Sequence, residues 1–538
     1  MSPRVRPFGF CVWLLAAASL ASAQSPLRRP LGVYAKVDLK DAINNVCPQK
    51  SDAKQHACLQ NFYQGLLRTP PVAGLTVGLH WDQISTSEQL SIPGDYYAFA
   101  GYDWSWVDDV FAAVAAVGYH QTVQFIITPG FDTPLWFLKS TTIQSCDPLL
   151  TGPAPVPGST PLKCDKVTFK GYPEEKHSDG KELPLPWSDD YQEKWLGFLG
   201  DFQQRYFFNH PEWVSLMVAG PSGASPELIL PADENDKKPQ VGGLTVTEVW
   251  TRLLVNSFCS GVACEEGYLG NDEAIVDHFK KVIDKYRALF GTQGTTSSLA
   301  LVLSPDAGNY FPNFNNTPPH LNPFYSADCA DTQAELSCEA KTDILHYFVE
   351  NGGVGNVARV GGLKASSPLQ TGDIGLPAVK LLTPPQPAPF FGGAEFDHPV
   401  SGHQIQLVGC PSKQETCSLT PEEAAYNLLA VFFNQTPKYV YDYWSVNLKH
   451  SPRPPVQVGE SGGSLMQYLE VPYLDLVYAQ QNPCGSDSKD FENTANPLLK
   501  RNTSLTDLLN QASLDLFAMA GYTLFRPIAT CTNGQNNH

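Results

Sequence analysis

The chain has 538 residues, a formal net charge of −18 at pH 7 and 11% aromatic residues. This length allows a large core, and a single barrel with long loops could use nearly all of it. The acidic balance argues against nucleic acid as a partner, because backbone phosphates would be repelled.

The first residues have the pattern of a secretory signal peptide. Arg4 and Arg6 give a positive start, Phe8 to Leu20 form a short apolar run, and Ala21-Ser22-Ala23 supplies a small-residue cleavage site. We therefore expect a signal peptide over residues 1–23 and a secreted protein, extracellular or periplasmic. Later stretches fall short of the roughly 18 apolar residues that a membrane helix needs, so we expect no membrane span.

Eight short apolar or β-branched runs, each ending in polar or aromatic residues, are predicted strands. Several are apolar on successive positions, which is typical of parallel strands buried on both faces. The runs are Gly32–Leu39, Gly74–Trp81, Thr122–Thr128, Val214–Ala219, Leu299–Leu303, Val357–Gly361, Phe390–Phe396 and Lys438–Trp444.

Helical patterns lie between many of these runs, and two more follow the last one. They cover Trp104–Val117, Asp190–Phe208, Asp272–Phe290, Pro421–Phe433, Leu465–Gln481 and Leu505–Met519. Strand followed by helix, repeated about eight times, predicts an α/β protein with a (β/α)8 TIM barrel. We assign the barrel to residues 24–480, and residues 481–538 to a C-terminal tail with a helix packed on it.

The cysteines fall into neighbouring pairs, which predicts disulfides that staple long loops on the C-terminal face of the barrel. The expected pairs are Cys47/Cys58, Cys146/Cys164, Cys259/Cys264, Cys329/Cys338, Cys410/Cys417 and Cys484/Cys531. A metal site would need Cys-x2-Cys spacing or Cys/His clusters, and the sequence has neither pattern. We expect no metal and no cofactor.

Two glutamates stand where a barrel enzyme would carry catalytic groups. Glu227 follows the fourth predicted strand, and Glu395 lies in the seventh, within Gly392-Gly393-Ala394-Glu395-Phe396. Cleavage of a glycosidic bond needs two carboxyl groups that face each other across the bond. The pair therefore predicts a glycoside hydrolase. The structural alternatives are a strand-end glutamate paired with a basic residue and an acid in a surface loop.

Aromatic and acidic residues near the predicted strand ends are candidates for binding an oligosaccharide or polysaccharide. Sugar binding needs flat apolar faces for the ring and polar groups for the hydroxyls. His80 and Asp442 are nearby polar residues, and the alternative for the tryptophans is core packing. The candidates are Trp81, Asp82, Trp104, Trp136, Tyr310, Tyr443 and Trp444.

Short motifs over roughly residues 30–450 resemble clan A glycoside hydrolases, particularly the family 42 β-galactosidases and their relatives. The motifs are Val33–Leu39, His80-Trp81-Asp82, Tyr102–Asp108, Gly130–Trp136 and Pro186–Tyr191. The resemblance implies that Glu227 is the acid/base, Glu395 the nucleophile and the anomeric configuration retained. Pro226 stands where the clan usually has an asparagine before the acid/base.

The sequence offers two alternatives to this function. Gly459-Glu460-Ser461-Gly462-Gly463 matches the nucleophile elbow of an esterase, but the only later histidine is the final residue, His538. That order nearly excludes a catalytic triad. A barrel that binds glycans without cutting them remains the alternative. The sequence leaves open the sugar, the linkage, exo or endo action and the oligomeric state.

Overall fold

The computed structural model describes the backbone of fewer than half of the residues, including two strands, 356–360 and 391–395, whose side chains are not described. Among the helices of the described part, none has the length and hydrophobicity that a bilayer crossing requires. The described residues are 28, 30–49, 51–87, 101–118, 121–152, 164–171, 180–219, 230–231, 239–260, 263–264, 273–290, 299–303, 344, 347, 356–360, 391–395 and 466–481.

Eight of the described strands are parallel and hydrogen-bond to their neighbours in a closed order, from the first to the eighth and back to the first. They are β1 (Gly32–Asp38), β2 (Val72–His80), β3 (Thr122–Thr128), β4 (Trp213–Met217), β5 (Ala300–Leu303), β6 (Asn356–Val360), β7 (Phe391–Glu395) and β8 (Met466–Pro472).

Six helices of nine residues or more lie between or after the ring strands in the described part of the chain. They are α1 (Asp52–Arg68), α2 (Ser105–Val117), α3 (Asp189–Phe202), α4 (Val246–Phe258), α5 (Glu273–Phe290) and α6 (Tyr473–Gln481). The predicted α/β class with parallel strands is confirmed. The complete (β/α)8 assignment depends on the connections after β5, β6 and β7, which lie largely outside the described residues.

The last described strand corrects the sequence prediction. A helix was predicted over Leu465–Gln481, but Met466–Pro472 is a strand and only Tyr473–Gln481 is helical. This strand pairs with β7 on one side and β1 on the other. Tertiary pairing therefore overrides the helical pattern, as is common for short segments. The predicted strand Lys438–Trp444 and the predicted helices Pro421–Phe433 and Leu505–Met519 lie outside the described residues.

The core has two layers, because strand side chains alternate between the two sides of the ring. A large layer lies between the strands and the helices. A smaller apolar cluster fills the lumen, where Gly74 leaves room for the Tyr34 ring: a Cβ at Gly74 would lie 2.6 Å from Tyr34 Cε1. The lumen cluster is Tyr34, Ile126, Met217, Ala300, Val302 and Tyr468.

Two of the predicted disulfides are present, Cys47–Cys58 and Cys146–Cys164. The second lies after β3, next to an antiparallel hairpin formed by Lys166–Phe169 and Lys181–Pro184. Cys259 and Cys264 are register partners in a short hairpin. The other predicted pairs lie outside the described residues: Cys329/Cys338, Cys410/Cys417 and Cys484/Cys531.

Candidate functional site

Three polar side chains gather at the mouth of the ring where the strands have their carboxyl ends. Asp38 is the last residue of β1 and His80 the last residue of β2. Asp132 lies in the 3-10 turn Gly130–Asp132, directly after β3. Neighbouring parallel strands end on the same side, so these residues meet although they are far apart in sequence.

His80 joins the two aspartates. Its Nε2 lies 2.8 Å from Asp38 Oδ2, and its Nδ1 lies 2.7 Å from Asp132 Oδ2. Since each ring nitrogen faces a carboxylate oxygen, both nitrogens carry a proton and donate. The His80 and Asp132 side chains are only 15% and 13% exposed, whereas that of Asp38 is 46% exposed.

Two lysines complete what we call the mouth cluster, made of Asp38, Lys40, His80, Asp82, Asp132 and Lys181. Lys40 Nζ lies 2.7 Å from Asp132 Oδ1 and 3.2 Å from Asp82 Oδ1. Lys181, from the hairpin after β3, lies 3.6 Å from Asp132 Oδ1. The formal charges of the six side chains cancel, because three are acidic and three are basic.

The short turn after β1 fixes the position of Lys40. Asp38 caps the turn Leu39–Asp41, since its carboxylate accepts a hydrogen bond from the backbone N–H of Asp41 at 3.0 Å. The same carboxylate therefore holds both the turn and the His80 ring. Lys40, inside the turn, is directed towards Asp82 and Asp132.

Mutual hydrogen bonds and charges keep Asp38, His80 and Asp132 ionised. Burial lowers the pKa of His80, but the bonds and charges of Asp132 and Asp38 outweigh burial and raise this pKa to about 9. Burial raises the pKa of Asp132 and of Asp38, yet His80 and Lys40 hold both pKa values below their usual range. At neutral pH the cluster thus contains an imidazolium between two carboxylates.

This arrangement suits binding better than proton transfer. A carboxyl group with a lowered pKa has no proton to give at neutral pH. A histidine with a raised pKa is already protonated at neutral pH and cannot accept a further proton. Charged donors and acceptors that are partly open to solvent can instead hydrogen-bond to ligand hydroxyls. Among the described residues, no group of three or more histidines, cysteines or acids could hold a metal ion.

The binding residues predicted from the sequence lie partly at the mouth of the ring and partly in the core. Asp82 belongs to the mouth cluster. Trp81 is buried against Trp195, with ring centroids 5.2 Å apart, and Trp104 is buried and stacked on Phe198. Both rings lie in the core between strands and helices and do not belong to the mouth cluster.

Trp136 is half-buried near the end of β2. Its indole N–H donates to Ser85 Oγ at 3.2 Å, and Ser85 directly follows the helical turn Trp81–Ile84. Among the predicted aromatic binding residues that the structure describes, Trp136 alone keeps a partly open ring. It therefore remains a candidate for stacking on a sugar.

The predicted catalytic pair is described in part. Glu395 is the last residue of β7 and the register partner of Glu470 on β8. Its backbone therefore lies at the carboxyl end of a ring strand. Its side chain and the predicted site residues Glu227, Tyr310, Tyr443 and Trp444 lie outside the described part.

A second polar group lies in the lumen and was missed by the sequence analysis. Glu470 is fully buried and accepts a hydrogen bond from the side-chain amide of Gln124 on β3. Ser215 on β4 donates to Gln124 Oε1 at 2.6 Å. Glu470 was missed because its strand was predicted as a helix.

The sequence analysis also missed Asp38, Lys40 and Asp132 as site residues. The signals were present, because Asp38 falls at the end of the first predicted strand and Asp132 within the Gly130–Trp136 motif. The sequence does not show how close the strand ends lie to one another. In the structure the ends of β1, β2 and β3 lie close together, and this places Asp38 and Asp132 on the two sides of His80.

Comparisons with known proteins include a weak structural likeness. No protein-family model matches the chain. No curated protein matches it in sequence either. The structure is similar to the catalytic domain of a β-amylase from Paenibacillus polymyxa, with a TM-score of 0.41 and 10% identity over 83% of this chain and 94% of that one. A likeness of this size identifies neither a family nor an activity for the chain.

Proposed function

We propose that the protein is a secreted glycoside hydrolase that cleaves O-glycosidic bonds with retention of configuration. Glu395 is the proposed nucleophile and Glu227 the proposed acid/base, in a (β/α)8 barrel over residues 24–480. The proposal also includes a signal peptide over residues 1–23 and a tail over 481–538. The two disulfides fit an oxidising compartment.

The observation that carries this proposal is the position of Glu395. It ends β7 in the closed order of parallel strands, and Asp38 and His80 end β1 and β2 in the same order. The carboxyl ends of parallel strands lie at one mouth, so Glu395 and the mouth cluster share that mouth. A carboxylate at this mouth can serve as one of the two carboxyl groups that glycoside hydrolysis requires, and Glu227 is the proposed second one.

The mouth cluster supplies the proposed sugar contacts. Asp38 and Asp82 keep partly exposed carboxylates, and Lys40 is exposed to a similar extent. A sugar offers hydroxyls that can donate to carboxylates and accept from ammonium groups. Because the six charges cancel, the cluster favours a neutral sugar over a uronic acid.

The proposed reaction has two displacements. The Glu395 carboxylate attacks the anomeric carbon as the glycosidic bond breaks, and Glu227 gives its proton to the leaving oxygen. Water then gives a proton to Glu227 and attacks the anomeric carbon, which releases Glu395 and restores the starting states. These roles require Glu227 to be protonated and Glu395 ionised at the working pH.

The test is a panel of aryl glycosides and polysaccharides, assayed with the wild-type protein and with Glu395→Gln. Loss of a nucleophilic carboxylate is expected to reduce kcat by at least about a thousandfold. Hydrolysis that survives the change would mean that Glu395 is not the nucleophile. Binding of a polysaccharide without turnover by the wild type would favour the glycan-binding alternative.

A further inference from the structure

A buried acidic residue inside the ring has no role in the reaction proposed above. Glu470 on β8 is fully buried, and its partner Gln124 lies on β3, 346 positions away in the chain. A carboxylate in such a place costs free energy unless hydrogen bonds or nearby charges compensate for lost water. Such a group is therefore a candidate for a functional role.

The hydrogen bonds around Gln124 fix the direction of its amide group. Ser215 Oγ donates to Gln124 Oε1 at 2.6 Å, and Gln124 Nε2 donates to Thr76 Oγ1 at 3.2 Å and to Glu470 Oε1. The Ser215 hydroxyl can donate or accept, so the amide direction depends on Glu470: an ionised Glu470 accepts from Nε2, whereas the flipped amide would set two acceptor oxygens against each other. The network therefore holds Glu470 Oε1 as an acceptor.

Glu470 stands next to Glu395 in the sheet. The two residues are register partners on β8 and β7, and neighbouring strands lie roughly 4.8 Å apart. On the other side, the register partner of Glu470 is Tyr34 on β1. The other ionisable residues near this level are Lys36 and Asp38 on β1, Tyr468 on β8 and, on β6 at the other side of β7, Arg359, the register partner of Gly393.

We propose that Glu470 is a positioning residue for Glu395: a second carboxylate, held by Gln124 in the lumen, that sets the charge balance around the nucleophile from the adjacent strand. This inference rests on the proposed function. It assigns a role to a residue that does not itself touch the substrate.

The consequence for the reaction follows from like-charge repulsion. Negative charges on these two register partners would repel each other, which makes ionisation of either residue harder. When Glu395 forms its ester with the anomeric carbon, its negative charge disappears and the repulsion is relieved. Glu470 thereby favours formation of the covalent intermediate over the free carboxylate.

The first test compares pH profiles of kcat/KM for the wild type, Glu470→Gln and the control Glu193→Gln. Glu193 is an exposed acid on α3, so the control makes the same chemical change away from the lumen. Glu470→Gln is expected to move the acidic midpoint down by about one pH unit or more and to lower kcat more than it changes KM. The control profile should match the wild type. An unmoved acidic midpoint in Glu470→Gln would overturn the inference.

The second test needs no substrate. The free energy of unfolding is measured near pH 7 for the wild type, Glu395→Gln, Glu470→Gln and the double variant. If the two carboxylates repel each other, Glu470→Gln relieves this repulsion in the wild type but not in Glu395→Gln. The loss of unfolding free energy caused by Glu470→Gln is therefore expected to be larger when residue 395 is already glutamine. Additive effects would overturn the inference even in an active enzyme. If Glu395→Gln leaves hydrolysis intact, the proposed function fails alone, and the cycle still decides whether the two carboxylates interact.

Discussion

At the residue scale, the His80 imidazolium between two carboxylates determines how the mouth cluster responds to pH. The pKa of His80 is raised to about 9 in the folded protein, from the usual histidine value of 6.5. A raised pKa means that the folded state binds the proton more tightly than the unfolded state does. The stabilisation is therefore fully present below pH 6.5 and is lost as pH rises through about 9.

This reasoning predicts how His80→Gln changes stability with pH. At pH 6 the variant should lose about 2–3 kcal/mol of unfolding free energy, because two nearby carboxylates lose the cation between them. At pH 10 the difference from the wild type should be much smaller. Denaturant unfolding at both pH values measures it. A gap of the same size at pH 6 and pH 10 would show that the His80 charge does not stabilise the fold.

At the element scale, α3 anchors the aromatic layer behind the mouth. Phe198 on this helix contacts the rings of Trp81, Trp104 and Trp195. Trp81 directly follows His80, and Trp104 directly precedes α2. Packing against α3 thus fixes the backbone that presents His80 and Asp82 to the mouth.

Phe198→Ala is predicted to lower the free energy of unfolding by about 3–5 kcal/mol, because it opens a cavity among fully buried rings. Phe208→Ala is the matched control, since Phe208 follows the π-helical turn Gln203–Phe207 that continues α3 and is 59% exposed. The control should change stability by about 0.5 kcal/mol or less. Equal losses in the two variants, measured by chemical denaturation, would contradict the packing account.

At the scale of the whole molecule, the sequence predicts where strands and helices lie better than it predicts which of them contact each other. Thr122–Thr128 was predicted with the bounds that the structure shows, because consecutive apolar residues give a strong signal for a buried parallel strand. Met466–Pro472 was missed because pairing with β1 and β7 makes it a strand, and pairing over hundreds of residues leaves no local signal.

The same limit applies to the site. Glu395 was predicted as a catalytic residue because a glutamate within Gly392-Gly393-Ala394-Glu395-Phe396, near the end of a predicted strand, is hard to explain structurally. Asp132 was not, because its importance depends on His80 and Lys40, which reach it from other strand ends. Gln124 and Glu470 required knowledge of the strand order around the ring.

The distance between the carboxyl groups of Glu227 and Glu395 in a crystal structure tests the central claim most directly. A retaining glycosidase is expected to place these groups about 5–5.5 Å apart across the site where the glycosidic bond lies. A separation of roughly 6.5–9.5 Å would indicate inversion instead. Carboxyl groups that open onto different regions of the molecule would contradict the catalytic assignment altogether.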